Sequence, residues 1–229
     1  MFYDLHIHSV LSPCSDDEMT VNNIVNMSLI KDLDLIAITD HNSMKQLKVF
    51  REVAKGKIDI LLGVEIQSED GIHILAYFHP DYDIDKAQSY LDQYLVEKEN
   101  NVEYYGKQLI LNEYDEVVGS EDRLLISSLN RTTKQVIDDI HELGGKVILA
   151  HVYRKYGYIQ KYGTLDFDLD FDGVEVAKDD YKTVLNEYPA LKDKIVLCDS
   201  DAHYLGMINE PEISITKEEY LFLKGESHA

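Results

Sequence analysis

A chain of 229 residues, 45% of them hydrophobic, has material for one large domain or for a domain with a modest insertion. Its formal net charge of -21 argues against a general binder of nucleic-acid backbones, which needs clustered Lys and Arg, although a nucleotide-sized ligand stays compatible. Cys14 and Cys198 are too few for a disulfide framework, and no apolar run approaches the ~18 residues of a membrane span, so a soluble cytoplasmic protein with free thiols is expected.

Short apolar runs alternate with helical periodicity along the chain. FYDLHI (2–7) reads as a strand, VNNIVNMSLIKDL (21–33) as a helix and DLIAITDH (34–41) as a second strand. A helix through 44–56 precedes strands in IDILLGVEI (58–66) and GIHILAYF (71–78). From Asp85 to Asp122 the chain is charged and tyrosine-rich with no comparable strand, and reads as a helical insertion whose tyrosines pack helices or stack on a base. Alternation resumes with TTKQVIDDIHELGG (132–145), stopped by paired glycines, and the strand KVILAHV (146–152). DFDGVEVA (170–177) and KIVLCDSDAH (194–203) supply two more strands around a helix at 182–193. This order predicts an α/β fold built on a parallel sheet, open or closed into a barrel, without a second-domain boundary.

Reactive side chains collect at the strand ends: His6, His8, His41, His73, His151 and His203, with Glu65 in GVE and Asp201 in DSDAH. In an extended segment His6 and His8 project to one side. Each residue alone has an ordinary explanation as a turn cap or ion-pair partner. Together they do not, because burying unpartnered titratable groups side by side costs several kcal/mol. Imidazole and carboxylate donors suit zinc, manganese or iron.

The ordered set HxH, an Asp within SDD, TDH, GVE, the His of IHILAYF, AH and SDAH resembles the polymerase and histidinol phosphatase (PHP) family of metal-dependent phosphoesterases, over residues 4–203. The resemblance implies a distorted (β/α)7 TIM-like barrel around three divalent metal ions. Carried over residue by residue, it makes His6, His8, Glu65 and Asp201 ligands of one metal. Glu65 then bridges to a second that also takes His73 and His151, and Asp16, His41 and His203 hold a third. A hydroxide generated at metals held by Glu65, Asp201 and His151 would be the nucleophile, since such metals lower the pKa of water from 15.7 toward ~7. The expected partner is a phosphorylated small molecule, possibly a nucleotide, rather than extended nucleic acid or a membrane.

The chain departs from the family pattern at several points. Ser12 to Cys14 reads as an insertion behind HxH, Asp17 competes with Asp16, and Val152 stands where proline is usual. Asp199 replaces a glycine, and strand alternation sends it to the same face as Asp201, as support or rival ligand. Asp40 is a candidate to orient an imidazole, and Arg154 and Arg131 are the arginines expected to hold phosphate, with Lys155 behind them. Cys14 reads as a loop thiol that could serve as a soft ligand, His79 as a loop residue, His141 as a helix-end residue and His228 as a tail residue. Two alternatives remain: an amidohydrolase-like enzyme, whose bridging ligand would be a lysine where this chain has Glu65, and a non-catalytic metal-stabilised module. Substrate, metal identity and oligomeric state are open at this point.

Overall fold

A computed structural model describes residues 1–226, so that His228 lies outside the described residues. From the amino terminus, β1 (Tyr3–Ile7), α1 (Val21–Ile30), β2 (Leu35–Ile38), α2 (Leu47–Ala54) and β3 (Asp59–Gln67) follow the expected alternation. β1, β2 and β3 pair in parallel through those crossovers. The next connection, residues 68–72, is too short for a crossover, so β4 (His73–Phe78) returns antiparallel to β3. It also pairs antiparallel with β7 (Lys146–Leu149) on its other side. The sheet is therefore mixed rather than wholly parallel, and it is the hairpin length that makes the difference.

Beyond β7 the chain forms α6 (Tyr158–Tyr162), β8 (Gly173–Glu175), α7 (Tyr181–Glu187) and β9 (Ile195–Leu197), with β7, β8 and β9 parallel. The seven-stranded sheet has the order β1-β2-β3-β4-β7-β8-β9 and is curled into a half-barrel. Past β9 the chain meets β1 again: Ala202 donates its amide to the His6 carbonyl (3.0 Å) and His8 to that of Ala202 (2.9 Å). Alternation divides the strands into two faces. Leu35, Leu61, Leu75, Tyr77, Ile148 and Leu197 form one apolar cluster on the inner face, while Ile36, Leu62, Val64, Ile74, Val147 and Val174 belong to the larger core shared with the helices. A final helix, α8 (Lys217–Leu223), adds Leu223 to the inner cluster. Among the described residues no helix is long and apolar enough to cross a membrane.

The segment from Asp85 to Asp122 is only partly helical. α3 (Ile84–Tyr94) and a single turn, α4 (Val102–Tyr105), lead into a hairpin of β5 (Leu109–Leu111) and β6 (Val117–Ser120). Its turn is made by Asn112, whose side chain accepts the amides of Tyr114 and Glu116 (both 3.0 Å), and by Asp115 at φ 61°. Helical periodicity does not register these side-chain-to-backbone bonds. The hairpin is tied down: the Gln46 amide both donates to and accepts from the Leu111 backbone, and Asp115 accepts from Thr20 and the Asn22 amide. Tyr90 and Tyr94 pack edge to face, as helix-packing aromatics do.

α5 (Thr133–Glu142) starts in a capping box between Thr132 and Gln135 and ends beside His141, whose Nε2 lies 2.8 Å from Asp172 just before β8. Asp172 also accepts the Val147 amide (2.8 Å), so this pair joins α5, β7 and β8. The hydrogen bond to Asp172 raises the pKa of His141. A raised histidine stabilises the fold fully below its ordinary value of ~6.5 and loses that contribution as pH climbs through the folded value. His141→Gln is therefore expected to cost up to ~1 kcal/mol at pH 6 and clearly less at pH 9, read by urea unfolding at both pH values.

Candidate metal centre

The inner face of the sheet carries its polar residues at one end. On β3, Leu61, Gly63, Glu65 and Gln67 share that face, with Glu65 near the carboxyl end. Gly63 is required there, because a Cβ would stand 2.7 Å from Thr39 Cγ2. β1 reaches the same face through an irregularity in its pairing between Asp4 and Ile7, which places Tyr3 and Leu5 in the inner cluster and Ile7 in the outer one. The irregular backbone is satisfied from within: Leu5 donates to Asp199 (2.7 Å) and accepts from the Tyr77 hydroxyl (2.8 Å). His6 and His8 then project together. Because β4 runs the other way, His73 at its beginning arrives beside the carboxyl ends of the parallel strands. His151 (φ 29°) and Asp201 (φ 55°) sit just beyond β7 and β9 in left-handed conformations that turn them out of strand alternation.

Five imidazoles converge on Glu65, which is 1% exposed. Its Oε1 lies 2.7 Å from His73 Nδ1, 3.1 Å from His151 Nε2 and 3.4 Å from His6 Nε2. Its Oε2 lies 3.0 Å from His41 Nδ1 and 3.3 Å from His8 Nε2. Asp201 Oδ1 is 3.3 Å from Nε2 of both His6 and His8. Three overlapping groups have donor atoms all within 4.8 Å of one another: His6, His8, Glu65 and Asp201; His41, Glu65 and His73; and His8, His41 and His203.

The outer partners decide which way these rings present their lone pairs. His6 gives its Nδ1 proton to Glu175 (2.8 Å), a carboxylate that only accepts. Ser12 spends its own proton on Asp40 (2.7 Å) and so accepts from His8 Nδ1 (3.0 Å). His203 donates Nδ1–H to the Asp201 carbonyl (2.8 Å). The Nε2 atoms of all three rings are thereby left as acceptors, and those of His6 and His8 face each other at 3.2 Å. His151 Nδ1 is buried without a hydrogen-bond partner, and His41 Nδ1 and Glu65 Oε2, although 3.0 Å apart, are not aligned to hydrogen-bond each other. Lone pairs and carboxylate oxygens crowded in this way repel unless a cation lies among them, and an N/O set of this kind fits divalent zinc, manganese or iron.

The charges agree with that reading. Burial alone would raise the Glu65 carboxyl, but His73, His6 and His41 hold it well below the usual carboxylate range. Burial works against charge on His6 and His41, yet Glu175, Asp201 and Glu65 around the first, and Glu65 and Cys14 beside the second, push both well above an ordinary histidine. Burial prevails at His73, whose pKa is lowered. Without metal, protons must occupy positions that a cation would otherwise take.

Of the expected ligands, His6, His8, His41, Glu65, His73, Asp201 and His203 fall within the three donor groups, and His151 contacts Glu65 beside them. Asp16 does not arrive there. It is exposed, its carboxylate accepting the Glu18 amide (2.9 Å), and Asp17 pairs with Lys107 (2.9 Å). Asp199 is also turned away: β9 ends at Leu197, so the alternation argument fails, and its Oδ1 is taken by Leu5. Arg154 lines the cavity over the donors, 3.2 Å from Asp201 and 3.5 Å from Glu175. Arg131 is elsewhere, 3.1 Å from Asp139 with its guanidinium 3.7 Å from the Tyr94 ring centre. Asp40 acts on His8 through Ser12. Glu175 and Tyr156, whose ring stacks on His73 at 4.5 Å, escaped sequence reading. For Glu175 a signal was present, since GVE occurs a second time at 173–175.

The cavity above these donors has a volume of about 390 Å³ and is bordered by Cys14, Ile126, Arg154, Lys155 and Tyr156. Residues 4–194 match the PHP domain, and the chain belongs to that family of metal-dependent hydrolases. No curated protein matches the sequence. Among solved structures, a presumed metal-dependent phosphoesterase from Bifidobacterium adolescentis is 18% identical at a TM-score of 0.67, covering 99% of this chain and 96% of that one. The lesion-specific endonuclease PfuEndoQ from Pyrococcus furiosus is 20% identical at 0.67, covering 98% and 56%. An amidohydrolase from Chromobacterium violaceum is 17% identical at 0.63, covering 92% and 90%. The chain spans about half of an endonuclease Q solved with an abasic duplex, 49% of that chain at 20% identity and a TM-score of 0.67. These likenesses establish the shared fold.

The Glu175–His6 bond yields a direct check. Glu175→Gln removes the charge that orients His6, and metal affinity is expected to fall about 10–100-fold in a chelator competition, with the fold retained by circular dichroism.

Proposed function

We propose that the chain is a metal-dependent phosphoesterase that hydrolyses a phosphomonoester of a small metabolite or nucleotide, within one PHP-type domain whose insertion at about 85–122 shapes specificity. The observation that carries this reading is the Glu65 carboxylate shared by five imidazoles beneath an opening edged by Arg154 and Lys155. Glu65, rather than a lysine, belongs to two of the donor groups and would be the ligand shared between cations, which favours phosphate esters over the C–N bonds of amidohydrolases. Bound divalent metals would activate water at neutral pH and polarise phosphoryl oxygens.

The protein's own groups supply the rest. Glu65 and Asp201 place negative charge where cations are needed. Glu175 and the Asp40–Ser12 pair keep His6 and His8 in the tautomers that present Nε2. Arg154 is held between Asp201 and Glu175, so its guanidinium fork is oriented before substrate arrives, and a phosphate can exchange with the carboxylates for its N–H groups. Tyr156 walls the cavity against His73.

A second reading, cleavage of phosphodiesters in DNA, draws on the fold shared with endonuclease Q and is opposed by the net charge of -21. Manganese- or zinc-loaded protein should be offered phosphorylated sugars, nucleotides, histidinol phosphate, an abasic duplex and an amide panel. The proposal expects phosphate release from one of the monoesters, abolished by Asp201→Asn. Cleavage confined to the duplex or to amides, or silence with a filled site, would remove it. Arg154→Ala is expected to raise KM about tenfold or more with kcat less affected, as loss of a charge-assisted hydrogen bond predicts.

A further inference from the structure

His73 opens β4 directly opposite Gln67, the last residue of β3, in the register of the hairpin. Alternation puts Glu65 and Gln67 on one face of β3, so both reach the same ring. Glu65 Oε1 stands 2.7 Å from His73 Nδ1 and Gln67 Oε1 stands 3.1 Å from Nε2, which engages both ring nitrogens. Gln67 is itself fixed at the backbone: its amide donates to Asn42 Oδ1 (3.2 Å) and its carbonyl accepts from Leu129 (2.8 Å).

The flat face of the imidazole is covered by Tyr156. The two rings lie 4.5 Å apart, centre to centre, and 11° from parallel, whereas His41 and His151 meet His73 edge-on at 5.5 and 5.2 Å. The Tyr156 carbonyl also accepts the His73 amide (3.0 Å), while Ala150 donates to the His73 carbonyl (3.1 Å). A ladder continuing the register of Ile74 with Leu149 would give that amide to Ala150. The left-handed turn at His151 diverts the chain, and Tyr156 takes it instead. Tyr156 is left-handed too, at φ 66°, a conformation that a residue with a Cβ keeps only where its surroundings hold it. Those surroundings are tight. Arg154 donates to His151 and Gly157 to Arg154 (both 2.8 Å), a Cβ on Gly157 would stand 2.3 Å from the His151 carbonyl, and Lys155 Nζ lies 4.6 Å from the Tyr156 ring centre.

We infer that Tyr156 and Gln67 are positioning residues for His73, which hold its imidazole against Glu65 so that a cation among the His41, Glu65 and His73 donors keeps all three. The inference rests on the pocket being a metal centre and is independent of which ester is the substrate. Tyr156 acts through the face of the ring and its backbone carbonyl, Gln67 through the nitrogen turned away from Glu65. His73 starts its strand at the cavity, where no preceding strand residue restrains it, so the ring depends on these two contacts for its orientation. The loop at 151–157 thereby carries one donor, His151, and fixes another, His73.

The test is zinc binding by the purified chain, followed by chelator competition and by long-range proton–nitrogen spectra of ¹⁵N-histidine-labelled protein, with His73 assigned from the signals missing in His73→Asn. Tyr156→Phe keeps the stack and is expected to bind zinc within about twofold of wild type. Tyr156→Gly suits the left-handed backbone, which guards against misfolding, but removes the ring; this variant and Gln67→Leu are each expected to weaken zinc binding about tenfold or more. In both, the His73 signals should move while those of His6 and His8 stay in place. In the wild type itself, stacking should shift the His73 ring protons upfield. Unchanged affinity and His73 signals in Tyr156→Gly, a Tyr156→Phe variant as weak as Tyr156→Gly, or displacement of every imidazole signal together each overturns the assignment while leaving the metal centre standing. A chain that takes up no zinc overturns both.

Discussion

Glu65 is the constraint on which the rest of the structure depends. A carboxylate that is 1% exposed and approached by five imidazoles within 3.4 Å is tolerable only if opposite charge is supplied to the group as a whole. That requirement extends outward through the fold. Gly63, two residues earlier on the same face, gives β3 the room to lie against Thr39. The pairing irregularity in β1 brings His6 inward, and the antiparallel β4 delivers His73 from the start of a strand instead of its end. Elements that look irregular beside an ideal barrel are those that point donors at this carboxylate.

Uncharged and acidic partners that hold the donors from behind make the arrangement specific. Asp40 accepts from Ser9 and from Ser12, and Ser12 in turn fixes His8. Glu175 serves both His6 and Arg154, so the group that sets a ligand's tautomer also orients the cation at the rim. Binding of a phosphorylated ligand by Arg154 would therefore be felt by the donors beneath it, through shared carboxylates and not through a change of shape.

Much of this was legible in the sequence because imidazoles and carboxylates, donors that suit divalent metals, are conspicuous at strand ends. His6, His8, Glu65 and Asp201 were grouped from resemblance alone, and the structure brings those same four side chains together. What escaped reading depends on backbone detail. Asp16 lost its place because the loop after β1 turns it to solvent, and Asp199 because β9 ends before alternation reaches it. Arg131 is drawn to Asp139 and Tyr94, partners that lie in segments remote in sequence. The β5–β6 hairpin was hidden because its turn is made by the side chain of Asn112 and the positive φ of Asp115, and the antiparallel β4 because topology follows loop length more than strand composition.

His151 and Asp201 both hold left-handed backbone conformations that residues with a Cβ adopt only at a cost of order 1 kcal/mol or more each. Glycine would relieve that cost and forfeit the side chain, so these two positions set the chain's stability against its chemistry. Any occupant of the pocket that engages either side chain offsets the strain as it binds, which couples how long the chain stays folded to the supply of its ligand. The persistence of this protein in a cell would then track the availability of metal, even where no substrate is present.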